Sequence, residues 1–434
     1  MTEVLVFSPH RTPRFLYTLH WVLTYRMGLE PTITDSEQEF ESSTLPRINY
    51  SSLQFANCFN IEAGTLLFDT AINENFGEIG NYKGLKTLFH ASRGELPFDI
   101  FGAVFYCLSR MEEYGANTVD TQGRFLHTGS ILHKLGVLDT PIVDLWVAEF
   151  KTELQAFYPL LECKPETYQF FNTLDIDQAF CYKEKGWKRN MGGLLRDLLN
   201  ARFKDGLMRF KVLLNKAPDP FDTFEYILKL HDERKLQSVI FLLLADYGAY
   251  DKNVNYLNPA FQNRMKLLQE KVTLGIHPSY FSFNDLVLMR KEIKRLVEFQ
   301  KMPVSTSRQH YLRFNLPITF QNLIEAGIRH EYSMGYAETI GFRAGTAHAF
   351  RWFDLSANEV SVLELHPFCV MDVTLKNYMQ LSPQQAIDTI QMLINKVKNV
   401  NGTFTAIWHN ETISNWGEWE GWRMVYEQSL PIVS

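Results

Sequence analysis

Five short stretches of this chain end in side chains able to bind a metal or move a proton. They read Thr173-Leu174-Asp175-Ile176-Asp177, Gly275-Ile276-His277-Pro278-Ser279, Ser307-Arg308-Gln309-His310-Tyr311, Glu364-Leu365-His366-Pro367 and Ile407-Trp408-His409-Asn410-Glu411. Two carboxylates spaced two apart on an extended strand face the same way, about 6–7 Å apart at the backbone. One can bind a metal while the other accepts a proton. Imidazole with carboxylate suits Zn²⁺ or a similar divalent ion, and an open coordination position holds a water whose pKa falls toward neutrality. Hydrolysis is the chemistry this set points to. A single histidine at a strand end is more often a hydrogen-bonding residue than a ligand, and Asp175 or Asp177 taken alone serves equally well as a helix cap. The joint pattern, with four of the chain's 12 histidines in it, carries the reading.

The elements that must position these residues follow a regular alternation. From Tyr168 onward a short apolar run rich in β-formers is followed by a longer helix-patterned stretch. The expected strands are Tyr168–Leu174, Ser238–Leu244, Val272–Ile276, Val304–Ser307, Ile328–Tyr332, Val360–Leu365 and Thr403–Trp408. Helices with polar or proline starts are expected over Asn258–Lys271, Asn284–Lys301, Pro317–Ala326 and Pro383–Val400. Alternating strands and helices build a parallel sheet. Seven units without a glycine-rich phosphate loop after the first strand predict an α/β fold, a distorted seven-stranded (β/α) barrel, whose strand C-termini open on one face. Before it, residues 1–165 read as a smaller α/β or α+β domain with helices over Pro13–Met27 and Asp99–Tyr114; residues 166–434 form the barrel.

At 434 residues, with 46% hydrophobic and 21% charged side chains, the chain is an ordinary globular protein of two expected domains. A formal charge of −6 and no basic stripe exclude nucleic acid as the expected partner. No apolar run approaches the ~18 residues a membrane span needs, and the N-terminus lacks the pattern of a signal peptide, so no membrane insertion and a cytoplasmic location are expected. The 5 cysteines are scattered, which suggests neither a disulfide framework nor a cysteine metal knuckle.

From Tyr168 to about Tyr426 the chain resembles the polysaccharide deacetylase family, metal-dependent hydrolases with a distorted seven-stranded βα barrel that remove acetyl groups from glycans. Thr173-Leu174-Asp175-Ile176-Asp177 is similar to the family's Thr-Phe-Asp-Asp with one residue inserted. The resemblance implies Asp175 as general base and Asp177 as metal ligand, the insertion of Ile176 leaving both orders open. His277 matches the first histidine of His-Ser/Thr-x-x-His, whereas Phe281 stands where the second belongs. A third ligand must then come from His310, His366 or His409, or the site is weak or absent. The expected set is Asp177, His277 and His310.

Arg308-Gln309-His310-Tyr311 resembles Arg-x-Pro-Tyr, whose arginine orients the base, and His409 matches a strand-terminal histidine that protonates the leaving group. Substrate contacts are expected from Tyr311, from Arg343 in the stretch Gly341–Thr346, and from Trp408 among aromatic side chains near the mouth, although a loop salt bridge is the commoner role for such an arginine and core packing for such tryptophans. The whole chain resembles a bacterial subgroup in which a domain of unknown role precedes a divergent barrel. The implied function is removal of an acetyl group from an N- or O-acetylated sugar, with zinc as the first candidate for the divalent metal. Export is usual for deacetylases of surface glycans, so the absent signal suggests an intracellular sugar precursor as substrate. The alternative, which Phe281 favours, is an inactive barrel acting as a carbohydrate-binding or scaffold protein.

Overall fold

In the computed structural model, which describes residues 2–72, 77–115 and 118–431, the first strands make a parallel sheet of their own. Strands β1 (Thr2–Phe7), β2 (Leu29–Thr34), β3 (Arg47–Ser51) and β4 (Phe59–Glu62) pair in the order β2-β1-β3-β4. A small antiparallel hairpin follows, β5 (Gly80–Tyr82) with β6 (Leu85–Thr87). The Thr12 hydroxyl accepts the Phe15 N–H and Pro13 sits at the first turn, which starts the helix Pro13–Leu19. The expected single helix to Met27 instead changes to π-helical pairing over His20–Arg26. The helix Ile100–Ser109, capped by Asp99, is buried along its whole length, as an all-round apolar sequence requires.

The seven expected strands all fall in a second sheet: β7 (Gln169–Ile176), β8 (Gln237–Leu242), β9 (Thr273–Ile276), β10 (Thr306–Ser307), β11 (His330–Glu331), β13 (Glu359–Leu365) and β15 (Thr403–His409). Two unforeseen strands join them, β12 (Phe350–Asp354) and β14 (Val370–Met371). The order is β12-β13-β11-β10-β9-β8-β7-β15-β14, parallel throughout except for β12 against β13. Among the described residues no pairing joins the two ends, so the closed seven-stranded barrel is not found. The outer edge of β13 is taken by β12, which leaves it no ladder to offer β14. Connecting helices match their expected spans closely. Pro383–Asn399, for example, opens on a capping box between Ser382 and Gln385.

Register sets the face on which the chemistry lies. Asp175 pairs with His409 across β7 and β15 and with Phe241 across β7 and β8. In parallel strands such partners point the same way, while Leu174 and Ile176 turn to the opposite, buried side. Phe241 in turn faces Gly275, where an added Cβ would stand 2.6 Å from the Phe241 ring. Glycine at that position therefore admits the ring, and the ring supports the Arg308 guanidinium at 4.5 Å.

The expected boundary near residue 165 lies in a connection without regular structure, yet one apolar cluster runs through both parts, from Val4, Phe101 and Trp146 to Leu174, Ile240 and Trp352. Buried Asp144 fastens them by accepting from Arg26, the Thr346 hydroxyl and the Ala347 N–H. Among the described residues no helix is long and apolar enough to cross a membrane.

Candidate metal and proton-transfer site

Arg308 is the residue around which the site is assembled. Fully buried, it donates from Nη1 to Asp175 Oδ1 (2.7 Å), from Nη2 to Thr173 Oγ1 (2.7 Å) and from Nε to the Tyr332 carbonyl (3.1 Å). Asp175 is thereby fixed by a charge-assisted bond, with its second oxygen 3.7 Å from His277 Nε2.

His277 Nδ1 lies 2.5 Å from the Arg308 carbonyl and His310 Nδ1 lies 2.8 Å from Asp251 Oδ1. Each ring is held by one nitrogen and presents the other. His277 Nε2 is 3.3 Å from Asp177 Oδ1, and His310 Nε2 is 3.4 Å from Asp177 Oδ2. Asp177 Oδ1 is buried and takes no hydrogen bond. A carboxylate oxygen without a hydrogen bond, beside two imidazole nitrogens whose ring-mates are anchored, is a donor set with the outer support that a divalent metal would need. The residues present fit such an ion, with Asp177, His277 and His310 as the ligands.

His409 Nε2 approaches the same carboxylate at 3.9 Å, while its Nδ1 lies 2.8 Å from Asp372 Oδ1. Burial works against a charge on His409, but Asp372, with Asp177 and Asp175, pushes its pKa up to about 10. Burial likewise opposes a charge on His310, and Asp177 and Asp251 raise it to about 9. Burial alone would raise Asp177; His310 and His277 instead hold it well below the usual carboxylate range. Glu411 moves the other way, because burial and Asp177 push it up to about 7.

Asp175, Asp177, His277, His310, His409 and Glu411 line a cavity of about 280 Å³ together with Tyr250, Tyr311, Leu312, Met371 and Tyr378. Tyr311 holds a left-handed backbone conformation, φ 60°, which is uncommon outside glycine and clusters at functional sites. Its carbonyl accepts from Arg124 Nη1 at 3.0 Å. Arg124 belongs to the N-terminal region and is itself part of the cavity wall.

Of the residues singled out in the sequence, Asp175, Asp177, His277, Arg308, His310 and His409 converge, and Tyr311 borders them. Arg343 and Trp408 do not join them. Arg343 is buried on Glu113, at 2.8 Å from Nε, and on the Gly335 carbonyl, and it is not part of the cavity wall. Trp408 is one residue out of phase with His409, hence on the other face, where it is buried against Tyr426. His366, one of the candidate third ligands, lies instead with His330 and Glu364. Phe281 is 57% exposed and packs on Tyr250 and Tyr280. Sequence reasoning missed Asp251, Asp372 and Arg124. Asp372 directly follows β14, a strand of two residues without a periodic signal, and the other two lie in loops.

A model described as a family of unknown function, DUF7033, matches residues 4–159. No curated protein matches the chain. Solved structures similar in fold include a "putative polysaccharide deacetylase" from Mycobacterium smegmatis, 13% identical, TM-score 0.38, over 61% of this chain and 84% of that one. A mutant of a CE4-family pseudoenzyme with restored enzymatic activity is 8% identical, TM-score 0.32, over 61% of this chain and 64% of its own. IcaB from Ammonifex degensii is 10% identical, TM-score 0.22, over 39% and 84%. Polysaccharide deacetylases are thus among the structural neighbours; at this distance they bear on neither activity nor site residues.

Proposed function

We propose that this protein is a metal-dependent hydrolase that removes an acetyl group from an N- or O-acetylated sugar. The observation that carries the reading is the convergence of the unpartnered Asp177 Oδ1 with His277 Nε2 and His310 Nε2, flanked by Asp175 and His409. A divalent ion held by Asp177, His277 and His310, zinc first among the candidates, would supply Lewis acidity and a lowered water pKa. Asp175, oriented by Arg308, is the general base that takes a proton from the attacking water. His409, oriented by Asp372, is the general acid that protonates the departing amine or alcohol. Leu312, Ala337, Met371 and Val373 form the apolar part of the cavity wall, which suits an acyl methyl group. A volume of about 280 Å³ is near the lower end of small-molecule sites, about 300–1,000 Å³. One sugar unit, free or terminal, is therefore the substrate size we favour.

The binding-only alternative drew on Phe281, and with His310 Nε2 beside Asp177 that observation no longer favours it. The test is acetate release from N- and O-acetylated mono- and oligosaccharides by zinc-loaded protein. Asp175→Asn and His409→Ala should each lower kcat by about 10²–10⁴-fold. Metal-loaded wild-type protein that frees no acetate from any of these substrates would sink the reading.

A further inference from the structure

The candidate third ligand that did not reach the site has partners of its own. His330 at the start of β11 and Glu364 in β13 are direct cross-strand partners, and His366 lies two residues beyond Glu364. Parallel pairing and the two-residue period of a strand turn all three side chains to one face. Their ligand atoms are close: His330 Nδ1 is 3.1 Å from His366 Nε2 and 3.2 Å from Glu364 Oε2, and His366 Nε2 is 3.4 Å from the same oxygen. The His366 ring is stacked on Tyr332 at 4.3 Å with planes 7° apart, so its direction is set by packing.

From this arrangement we infer that the protein holds a second divalent transition-metal site, formed by His330, Glu364 and His366. Two imidazoles and one carboxylate are donors for zinc-class ions. Strand register aligns His330 with Glu364, and His366, directly after β13, is held by its N–H donating to the Glu331 carbonyl at 2.9 Å. None of the three is fully buried, which gives an ion access and leaves coordination positions to water or a ligand. Glu364 also lines a separate cleft of about 730 Å³, walled by Leu16, Tyr17, His20, Trp21 and Tyr25 from the N-terminal region and by Arg351. The site therefore stands where the two regions meet. Tyr332 links it to the first site, since its carbonyl accepts from Arg308 Nε.

The test is metal analysis of full-length protein stripped with chelator, loaded with Zn²⁺ and dialysed against metal-free buffer. His366→Gln and Glu364→Gln keep side chains of hydrogen-bonding character, and circular dichroism checks their fold. Each should carry one ion fewer per chain than wild type, whether or not Asp177→Asn removes another. Co²⁺ loading should give a visible d–d spectrum with one component missing in the same two variants. An ion count and Co²⁺ spectrum unchanged in folded His366→Gln and Glu364→Gln would overturn the second site, as would a folded Asp177→Asn variant that retains no ion. Activity plays no part in this readout, so the proposed hydrolase can fail while the site stands.

Discussion

Asp372 grips His409 at two points, its Oδ1 lying 2.8 Å from the ring Nδ1 and its Oδ2 accepting the His409 backbone N–H at 2.7 Å. Thr412 Oγ1 donates to that second oxygen, so the carboxylate is itself fixed. This bond selects the tautomer and direction of the ring and leaves Nε2 facing the cavity. Asp372→Asn should lower kcat by about 10- to 100-fold with little change in KM, a fraction of what general acid–base groups contribute. Metal content should stay at the wild-type value, because Asp372 touches none of the three ligands proposed for the first site. Loss of the metal together with activity would show that Asp372 instead holds up the whole site.

The exchange between positions 281 and 310 yields a second prediction. His310 has the anchored Nδ1 and a free Nε2 next to Asp177, whereas Phe281 turns outward onto two tyrosines. His310→Ala should remove a ligand and weaken zinc binding by at least about 100-fold, and Asp251→Asn, which frees the ring, by about 10–100-fold. Phe281→Ala should leave zinc affinity as it was. Competition with a chromophoric chelator measures all three, and equal affinities for His310→Ala and wild type would exclude His310 as a ligand.

Arg124 brings the N-terminal region into the cavity. It is tied to Asp120, to the Tyr311 carbonyl and to the Tyr378 hydroxyl. Removing it frees a left-handed tyrosine at the rim and takes a cation from the wall. Arg124→Ala should raise KM more than it lowers kcat, because Arg124 shapes the entrance and lies outside the proton-transfer pair. A fall in kcat at constant KM would place its action on the reacting groups.

How much of this was legible in the sequence depended on the kind of signal. Strands such as Thr403–His409 and helices such as Pro383–Asn399 are long and periodic, and the sequence marks them within a residue or two. The two-residue β14 carries no period, so Asp372 behind it was invisible. Polar residues after apolar runs pointed to Asp175, Asp177, His277, His310 and His409, because a strand end is a fixed place in such a fold. The same rule misled for His366, since sequence order does not say how far along the sheet a strand ends. A salt bridge is the commoner role for an arginine such as Arg343, but its partner, Glu113, could not be named because it is distant in the chain. The open ladder was hidden for a similar reason: whether β12 occupies the edge of β13 is a matter of tertiary packing, which alternation cannot report.

Glu292 gives a pH signature that unfolding can read. It is buried on the helix Leu286–Gln300 and accepts the Ser279 N–H at 2.9 Å. Burial, reinforced by Asp251 and only partly opposed by that bond and by Arg295, pushes its pKa up to about 7. An unfolded glutamate titrates near about 4.3. Between these values the folded chain keeps a proton that the unfolded chain has lost, so this group makes stability fall as pH rises from about 4.3 to 7 and has no further effect above it. Glu292→Gln preserves the acceptor and removes the titration. The variant should therefore match wild type near pH 4.5 and exceed it at pH 8 by about 1–3 kcal/mol, each pKa unit being worth about 1.4 kcal/mol. Urea unfolding of both proteins across this range measures the difference directly. A difference that stays flat with pH would mean that Glu292 titrates in the fold at the same pH as in the unfolded chain.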